Sequence, residues 1–292
     1  MKMLFYGAGV VSSVLAARLH EAGQDVTLLA RGARLTALRE HGVRLAPGCD
    51  AAVRSVGVPV VDRPADGYDL IAVPVRTHQV DAVLESLAPV SGDVLFLLNW
   101  AAGAAPLDAV LGTGRTLLGF PNVGGTMDGD VVRHRPPGFL TRRVAMPIGE
   151  PDGRPTPRLA RIVHTFRTAG LRAKPSPHMD AWLRTHAAFE VPLGRAVHAA
   201  GGPAALADDP AALRATIHHI RRSLAALPAP PAPRTFGALH TIPEAVLVPV
   251  LRHFLRSRTA THSGLSDTSP TAAAEYDHLI AQLHAATETT RL

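Results

Sequence analysis

The chain has 292 residues, 47% of them apolar but only 4% aromatic, so aliphatic side chains and alanine must fill its core. Its formal charge of +6 is carried almost wholly by arginine, with lysine only at Lys2 and Lys174, and no basic run or aromatic-interleaved basic stretch marks a nucleic-acid surface. The lone Cys49 excludes an internal disulfide framework, and no apolar window approaches the about 18 residues that a membrane span needs.

Residues 2–6 form a short apolar run closed by Gly7, which predicts a buried strand. That run is too short for a signal-peptide core, so a cytoplasmic protein is expected. Val10, Val11, Val14, Leu15 and Leu19 recur at helical spacing and stop at Gly23. A strand over 25–30, a helix over 33–41 and short β pieces over 43–61 follow. Next come a strand over 69–75, a helix over 78–88 and a strand over 93–98. This alternation predicts an α/β fold: an N-terminal Rossmann-like doubly wound parallel sheet.

Composition shifts at Pro151–Pro157, a helix is predicted over 157–169, and β-like runs cease after about residue 175. Trp182, His186, Phe189 and Leu193 share one stripe of a helix over 178–200, which Pro192 should kink. Leu213, Ile217, Ile220, Leu224 and Leu227 mark the next helix, and Pro228–Pro233 is a stiff connector. Further helices are predicted over 243–257 and 270–288, the last capped by Ser269 with Pro270 at its first position. The second half therefore reads as all-α, with domains at 1–170 and 171–292.

Gly7-Ala8-Gly9-Val10-Val11-Ser12 follows a strand and opens a helix, matching G-x-G-x-x-G except for the final serine. Gly7 permits the tight turn and Gly9 lets a pyrophosphate approach the backbone. Ser12 is small enough for close helix–strand packing, and the amides of Val10 and Val11 belong to the positive end of the helix. After the second strand an NAD enzyme wants a carboxylate for the ribose hydroxyls. Here stand Ala30-Arg31-Gly32-Ala33-Arg34. Arg31 can meet a 2′-phosphate with two parallel hydrogen bonds, and Arg34 can assist. NADPH is the expected cofactor. The histidines show no metal-ligand grouping, so no metal is expected.

Beyond the nucleotide site, the sequence resembles the ketopantoate reductase family along most of its length. Gly7–Ser12 with Arg31 is similar to that family's nucleotide site. Val73-Pro74-Val75-Arg76-Thr77-His78-Gln79 resembles its V-K-x-x-Q strand end, with Arg76 in the lysine's place. Leu98-Asn99-Trp100-Ala101-Ala102-Gly103 resembles its Q-N-G-x-G turn, which implies that Asn99 lies near nicotinamide and substrate. Trp182-Leu183-Arg184 resembles its W-x-K, whose lysine is the general acid. Ser263-Gly264-Leu265-Ser266-Asp267, then Ala274-Glu275-Tyr276-Asp277, resembles S-M-x-x-D followed by T-E-I-D. That likeness implies that Ser263 and Glu275 bind the substrate's polar groups. It also implies a Rossmann domain followed by a helical domain for substrate binding or dimerisation.

The departures are specific. Arginine stays protonated, so Arg184 is a poor acid but a good electrostatic clamp. The family's next asparagine is Ala188 here, and Glu190-Val191-Pro192-Leu193 replaces its N-P-L. His186, one turn after Arg184, can supply the missing proton or simply pack on the Trp182 stripe. Glu190 is a carboxylate among apolar neighbours that can contact substrate or pair with an arginine. The expectation is an NADPH-dependent reductase of a small ketone or imine, its substrate differing from ketopantoate and belonging to secondary metabolism. In it, Asn99 and Glu275 orient the substrate and Arg184 stabilises negative charge. The partners expected are a small molecule and a second copy in a homodimer, without nucleic acid or membrane. The alternative is an NADPH-binding protein that does not use the hydride: a sensor or regulator, or a cyclase or dehydratase.

Overall fold

A computed structural model of the chain describes residues 1–48, 51–135, 144–257, 260, 265 and 267–289. The chain divides into two compact units, Met1–Leu98 with Ala104–Met179, and Asn99–Gly103 with Asp180–Leu292.

The first unit begins β1 (Lys2–Phe5), α1 (Val10–Glu21), β2 (Asp25–Leu29), α2 (Gly32–His41), β3 (Val43–Pro47), β4 (Arg54–Val56) and β5 (Val60–Val61). It continues β6 (Leu70–Val73), α3 (Val80–Leu87), β7 (Asp93–Leu97), α4 (Ala105–Leu111) and β8 (Thr116–Gly119). It ends with β9 (Gly125–Asp128), β10 (Val131–His134), β11 (Met146–Gly149), α5 (Pro157–Thr168) and β12 (Ala173–Pro175). An eight-stranded sheet has the order β12-β11-β8-β7-β6-β1-β2-β5, parallel except where β11 meets β8. Parallel strands covered on both faces read as unbroken apolar runs. Accordingly Met3, Leu4 and Phe5 of β1 and Leu70, Ile71, Ala72 and Val73 of β6 are wholly buried. A four-stranded sheet, β4-β3-β10-β9, lies in the same unit. Its β9–β10 hairpin is not legible in sequence, because Thr126, Met127 and Asp128 are exposed and show no alternation.

A buried ion network ties the sheet to α5. Thr156 caps that helix, accepting from Leu159 N at 3.2 Å. Two residues on, Arg158 donates to Glu150 Oε1 at 2.8 Å and to Asp93 Oδ1 at 2.7 Å. β12 pairs with β11, so the sheet extends past residue 170 and the first unit ends at Met179. The boundary expected at 170 followed the end of α5. One short strand, Ala173–Pro175, of which only Ala173 is buried, accounts for the difference.

The second unit holds α6 (Met179–Ala200, from its second residue), α7 (Pro203–Asp208), α8 (Pro210–Ala225), α9 (Glu244–Leu255) and α10 (Pro270–Thr289). Its core gathers Leu193, Val197, Leu206, Leu213, Ile220, Leu224 and Leu255. Asp209 Oδ1 caps α8 by accepting from Ala211 N and Ala212 N, both at 2.9 Å. Ser269 Oγ caps α10 through Ala272 N at 3.3 Å. α6 runs through Pro192 as one helix. Gly194 on α6 faces the ring of Tyr276 on α10 so closely that a Cβ there would overlap it. No helix among the described residues is long and apolar enough to cross a membrane.

Candidate active site

β1 pairs with β2 on one side and β6 on the other, all parallel. The chain leaves β1 towards β2 and β5, then returns to β6 across β1. That reversal is the topological switch point, where open parallel sheets bind ligands beyond the strand carboxyl ends. Gly7–Ser12 sits there. Gly7 has φ +86°, which favours glycine, and a Cβ added at Gly7 or Gly9 would meet no atom within 4 Å. Gly9 is the N-cap of α1 and offers no side-chain cap. The first-turn amides of Val10, Val11 and Ser12 are thus left to a ligand or water. Ser12 is buried, so the hydroxymethyl group fits where the motif has glycine. An open cradle with uncapped amides at a positive helix end fits a dinucleotide pyrophosphate.

Arg31 is the N-cap residue of α2 and is exposed. Arg34 behaves otherwise. Its Nε donates to the Ala8 carbonyl at 3.2 Å, Nη1 to the Asp130 carbonyl at 2.8 Å and Nη2 to Ser13 Oγ at 3.2 Å. Burial lowers its pKa from the ordinary arginine value, against the pull of the Asp130 charge. Asp130 is itself held below the usual carboxylate range, chiefly by its hydrogen bonds from Arg44 at 2.8 and 3.0 Å. Arg34 therefore frames the glycine turn instead of assisting Arg31 at a phosphate. After β6, the backbone N–H of Arg76 donates to Gln79 Oε1 at 3.0 Å, opening the short helical turn Thr77–Gln79.

In the second unit, Asn99–Gly103 is gripped by two helices. Ala101 N donates to Gln282 Oε1 of α10 at 2.8 Å, and Arg184 Nε of α6 donates to Ala101 O at 3.1 Å. Trp100 Nε1 closes the turn on Gly103 O at 2.6 Å. Arg184 Nη1 pairs with Asp180 Oδ2 at 2.9 Å. Burial pushes the Asp180 carboxyl up, opposed by Arg184. Gly103 has φ +74°, which favours glycine, and a Cβ on it would make a tight 3.3 Å contact with Arg184 Nη2. The guanidinium read from sequence as a charge clamp is committed to holding the turn.

His186 meets the same turn. Its Nδ1 lies 3.1 Å from Asn99 Oδ1 and 2.9 Å from Glu190 Oε2, one helical turn on. Its ring stacks on Trp182 with centroids 5.1 Å apart and planes at 11°. Packing and polar contact, which the sequence set as alternatives for His186, coexist. Phe189, the next member of the stripe, meets Phe236 edge-on.

Glu275 is half-buried on α10, beside the buried Tyr276. It stands seven residues before Gln282 and so shares its stripe, about 10 Å along the helix. Ser263 lies outside the described residues. Asp180 and Gln282 were not anticipated. For Gln282 the available signal was the two-turn step from Glu275; for Asp180 it was the i, i+4 spacing to Arg184.

Residues 3–142 match the family model Ketopantoate reductase PanE/ApbA. A 2-dehydropantoate 2-reductase of Mesorhizobium japonicum is 26% identical over 193 residues, 59% of this chain and 59% of that protein. One from Pyrococcus horikoshii is 24% identical over 185 residues, covering 62% of this chain and 58% of its own length. The chain thus spans under two thirds of the curated relatives it matches. Among solved structures, a PanE/ApbA family ketopantoate reductase from Ralstonia eutropha aligns with TM-score 0.70 and 19% identity, covering 100% of both chains. D-mandelate dehydrogenase, solved with NADH and anilino(oxo)acetate, aligns with TM-score 0.69 and 15% identity, again over 100% of both. These likenesses show a shared two-domain α/β fold. Over residues 3–142, just under half of its length, this chain is thus similar to the ketopantoate reductase family.

Proposed function

We propose that the protein is an NADPH-dependent reductase of a small ketone or imine. The observation that carries this is the open glycine turn at the switch point, with exposed Arg31 and no carboxylate at the end of β2. The dinucleotide, when bound, supplies hydride. Gly7, Gly9 and the amides of Val10, Val11 and Ser12 hold its pyrophosphate, and Arg31 takes the 2′-phosphate. Arg76, just past β6, lies at the same sheet edge. Asn99 and Glu275 orient the substrate, and Arg184 keeps Asn99 in place through Ala101. The D-mandelate dehydrogenase complex with a 2-oxo compound supports a 2-oxo acid or related carbonyl as the substrate class. The changes at 184, 188 and 190 favour a substrate other than 2-dehydropantoate, and the reading sets the reaction in secondary metabolism and in the cytoplasm.

Calorimetric titration with NADPH and NADH, followed by NADPH oxidation across a panel of 2-oxo acids, ketones and imines, tests the proposal. Tighter binding of NADPH with turnover of at least one carbonyl supports it. Absence of heat with both dinucleotides rejects it. One observation favours a second reading, in which NADPH binds without giving up hydride. No lysine stands at 184, and its replacement is occupied by Ala101 and Asp180. Tight NADPH binding with no oxidation by any substrate would decide for that reading.

A further inference from the structure

We infer that Arg135 is an anion-binding residue of the first unit, set to take the carboxylate of an acidic carbonyl substrate; this rests on the reductase reading above. β1, β2, β6, β7 and β8 are mutually parallel, so their carboxyl ends share the edge at which such sheets place ligands. Residues 120–124 leave β8 at that edge. Arg135, directly after β10, is fastened to them. Its backbone N–H donates to Gly124 O at 2.8 Å, and its Nη2 donates to Asn122 O at 3.2 Å. Asn122 is held in turn, its Nδ2 donating to Val144 O at 3.0 Å.

The state of this guanidinium points to a ligand. It is half-buried, and burial lowers its pKa from the ordinary arginine value with no carboxylate opposing the shift. Arg44 and Arg158, likewise drawn in from solvent, meet carboxylates: Asp130 for the first, Asp93 and Glu150 for the second. Among the described residues the Arg135 guanidinium has Asn122 O alone, which leaves the rest of its fork to water or a ligand. A partly desolvated charge without a counter-ion is costly. A carboxylate that meets the planar fork through two parallel hydrogen bonds removes that cost.

Position selects the anion. The carbonyl of Asp130, at the other end of β10, accepts from Arg34 beside the glycine turn. Arg135 stands five residues further along, about 17 Å of extended strand. In the sheet, β7 and β6 lie between β8 and β1, a separation of about 14 Å. Both lengths remove Arg135 from the pyrophosphate cradle. Arg31 follows β2, on the other side of β1 from β8. A dinucleotide with its 2′-phosphate at Arg31 and its pyrophosphate at Gly7–Ser12 has its nicotinamide half on the β6–β8 side, the side of Arg135. A 2-oxo acid carries its carboxylate next to the reacting carbonyl, so one guanidinium there can both bind and orient it.

The test uses the full-length protein with 2-oxo-2-phenylacetate and its methyl ester, which share the reacting carbonyl and differ in charge. The unmodified protein should oxidise NADPH with a higher kcat/KM for the acid. Arg135→Gln still donates to Asn122 O but carries no charge. It should lower kcat/KM for the acid about 10–10²-fold, chiefly through KM, and leave the ester within about threefold and NADPH affinity unchanged. Arg135→Lys, which returns a charge without the fork, should recover part of the loss. Calorimetry with oxamate, an unreactive 2-oxo acid isostere, in the presence of NADP+ reads binding without turnover and should show the same dependence on Arg135. Acid and ester affected alike, or oxamate bound equally well by Arg135→Gln, overturns the assignment and leaves the reductase reading intact. Weaker NADPH binding with an unchanged acid-to-ester ratio overturns it in favour of a dinucleotide phosphate. Oxamate binding that depends on Arg135, in protein that consumes no NADPH with any member of the carbonyl panel, keeps the anion site and overturns the reductase reading. Protein that neither binds oxamate nor consumes NADPH overturns both.

Discussion

Arg34 Nε donates to the carbonyl oxygen of Ala8, the residue between the two glycines of the β1–α1 turn, at 3.2 Å. A half-buried guanidinium thus holds the backbone of the glycine turn while leaving its amides open. Replacing Arg34 by methionine keeps the stem and removes the donors to Ala8, Ser13 and Asp130. The expected result is a loss of about 1–3 kcal/mol in stability and roughly tenfold weaker dinucleotide binding, without direct contact to the ligand. Urea denaturation and calorimetry measure the two effects separately.

Arg31→Asp converts the end of β2 to the carboxylate that favours ribose hydroxyls. NADPH affinity should fall at least tenfold and NADH affinity should rise, reversing the preference. Paired titrations with both dinucleotides at constant ionic strength check the ratio, and an unchanged ratio would remove Arg31 from the site.

Gly194→Ala gains about 1 kcal/mol of helix propensity but drives a methyl group into the Tyr276 ring. Overpacking of this kind costs about 1–3 kcal/mol, so a lower melting temperature is expected. The double variant with Tyr276→Ala should be less destabilised than the sum of the single changes, since the clash exists only when both side chains are present.

Asp180 has its pKa raised by burial above the ordinary 3.8, with Arg184 opposing. Between 3.8 and the folded value the native state binds more protons than the unfolded chain, so this group's contribution to stability declines as pH rises through that interval and is flat above it. The difference in unfolding free energy between the unmodified protein and Asp180→Asn should therefore fall with rising pH just above 3.8. Chemical denaturation across that interval reads the slope, and a rising difference would contradict it.

Much of the first unit was legible because its strands are uniformly apolar and its turns carry glycine. Gly7–Ser12, Arg31 and the succession of β2, β6 and β7 could be placed from local pattern alone. Arg34 was read as an assistant to Arg31 because a sequence does not reveal that a carbonyl, Ala8 O, waits 26 residues earlier. Arg184 was read as a clamp on substrate for the same reason: its acceptor, Ala101 O, lies 83 residues away. His186 was read as a proton donor or a packing residue, and its ring stacks on Trp182 while its Nδ1 edge meets Asn99. Of the smaller sheet, β3 and β4 fall within the β pieces read over 43–61, whereas the β9–β10 hairpin escaped notice because exposed β9 obeys no period.

The hydrogen bond from Ala101 N to Gln282 Oε1 spans 181 residues. During synthesis the peptide that follows β7 emerges well ahead of the group that fastens it, which follows 181 residues later. At roughly 5–20 residues per second the segment bearing Asn99 spends on the order of ten seconds without its anchor. Most of the first unit can assemble in that interval, whereas the turn at Asn99–Gly103 waits for Gln282 before it is fastened.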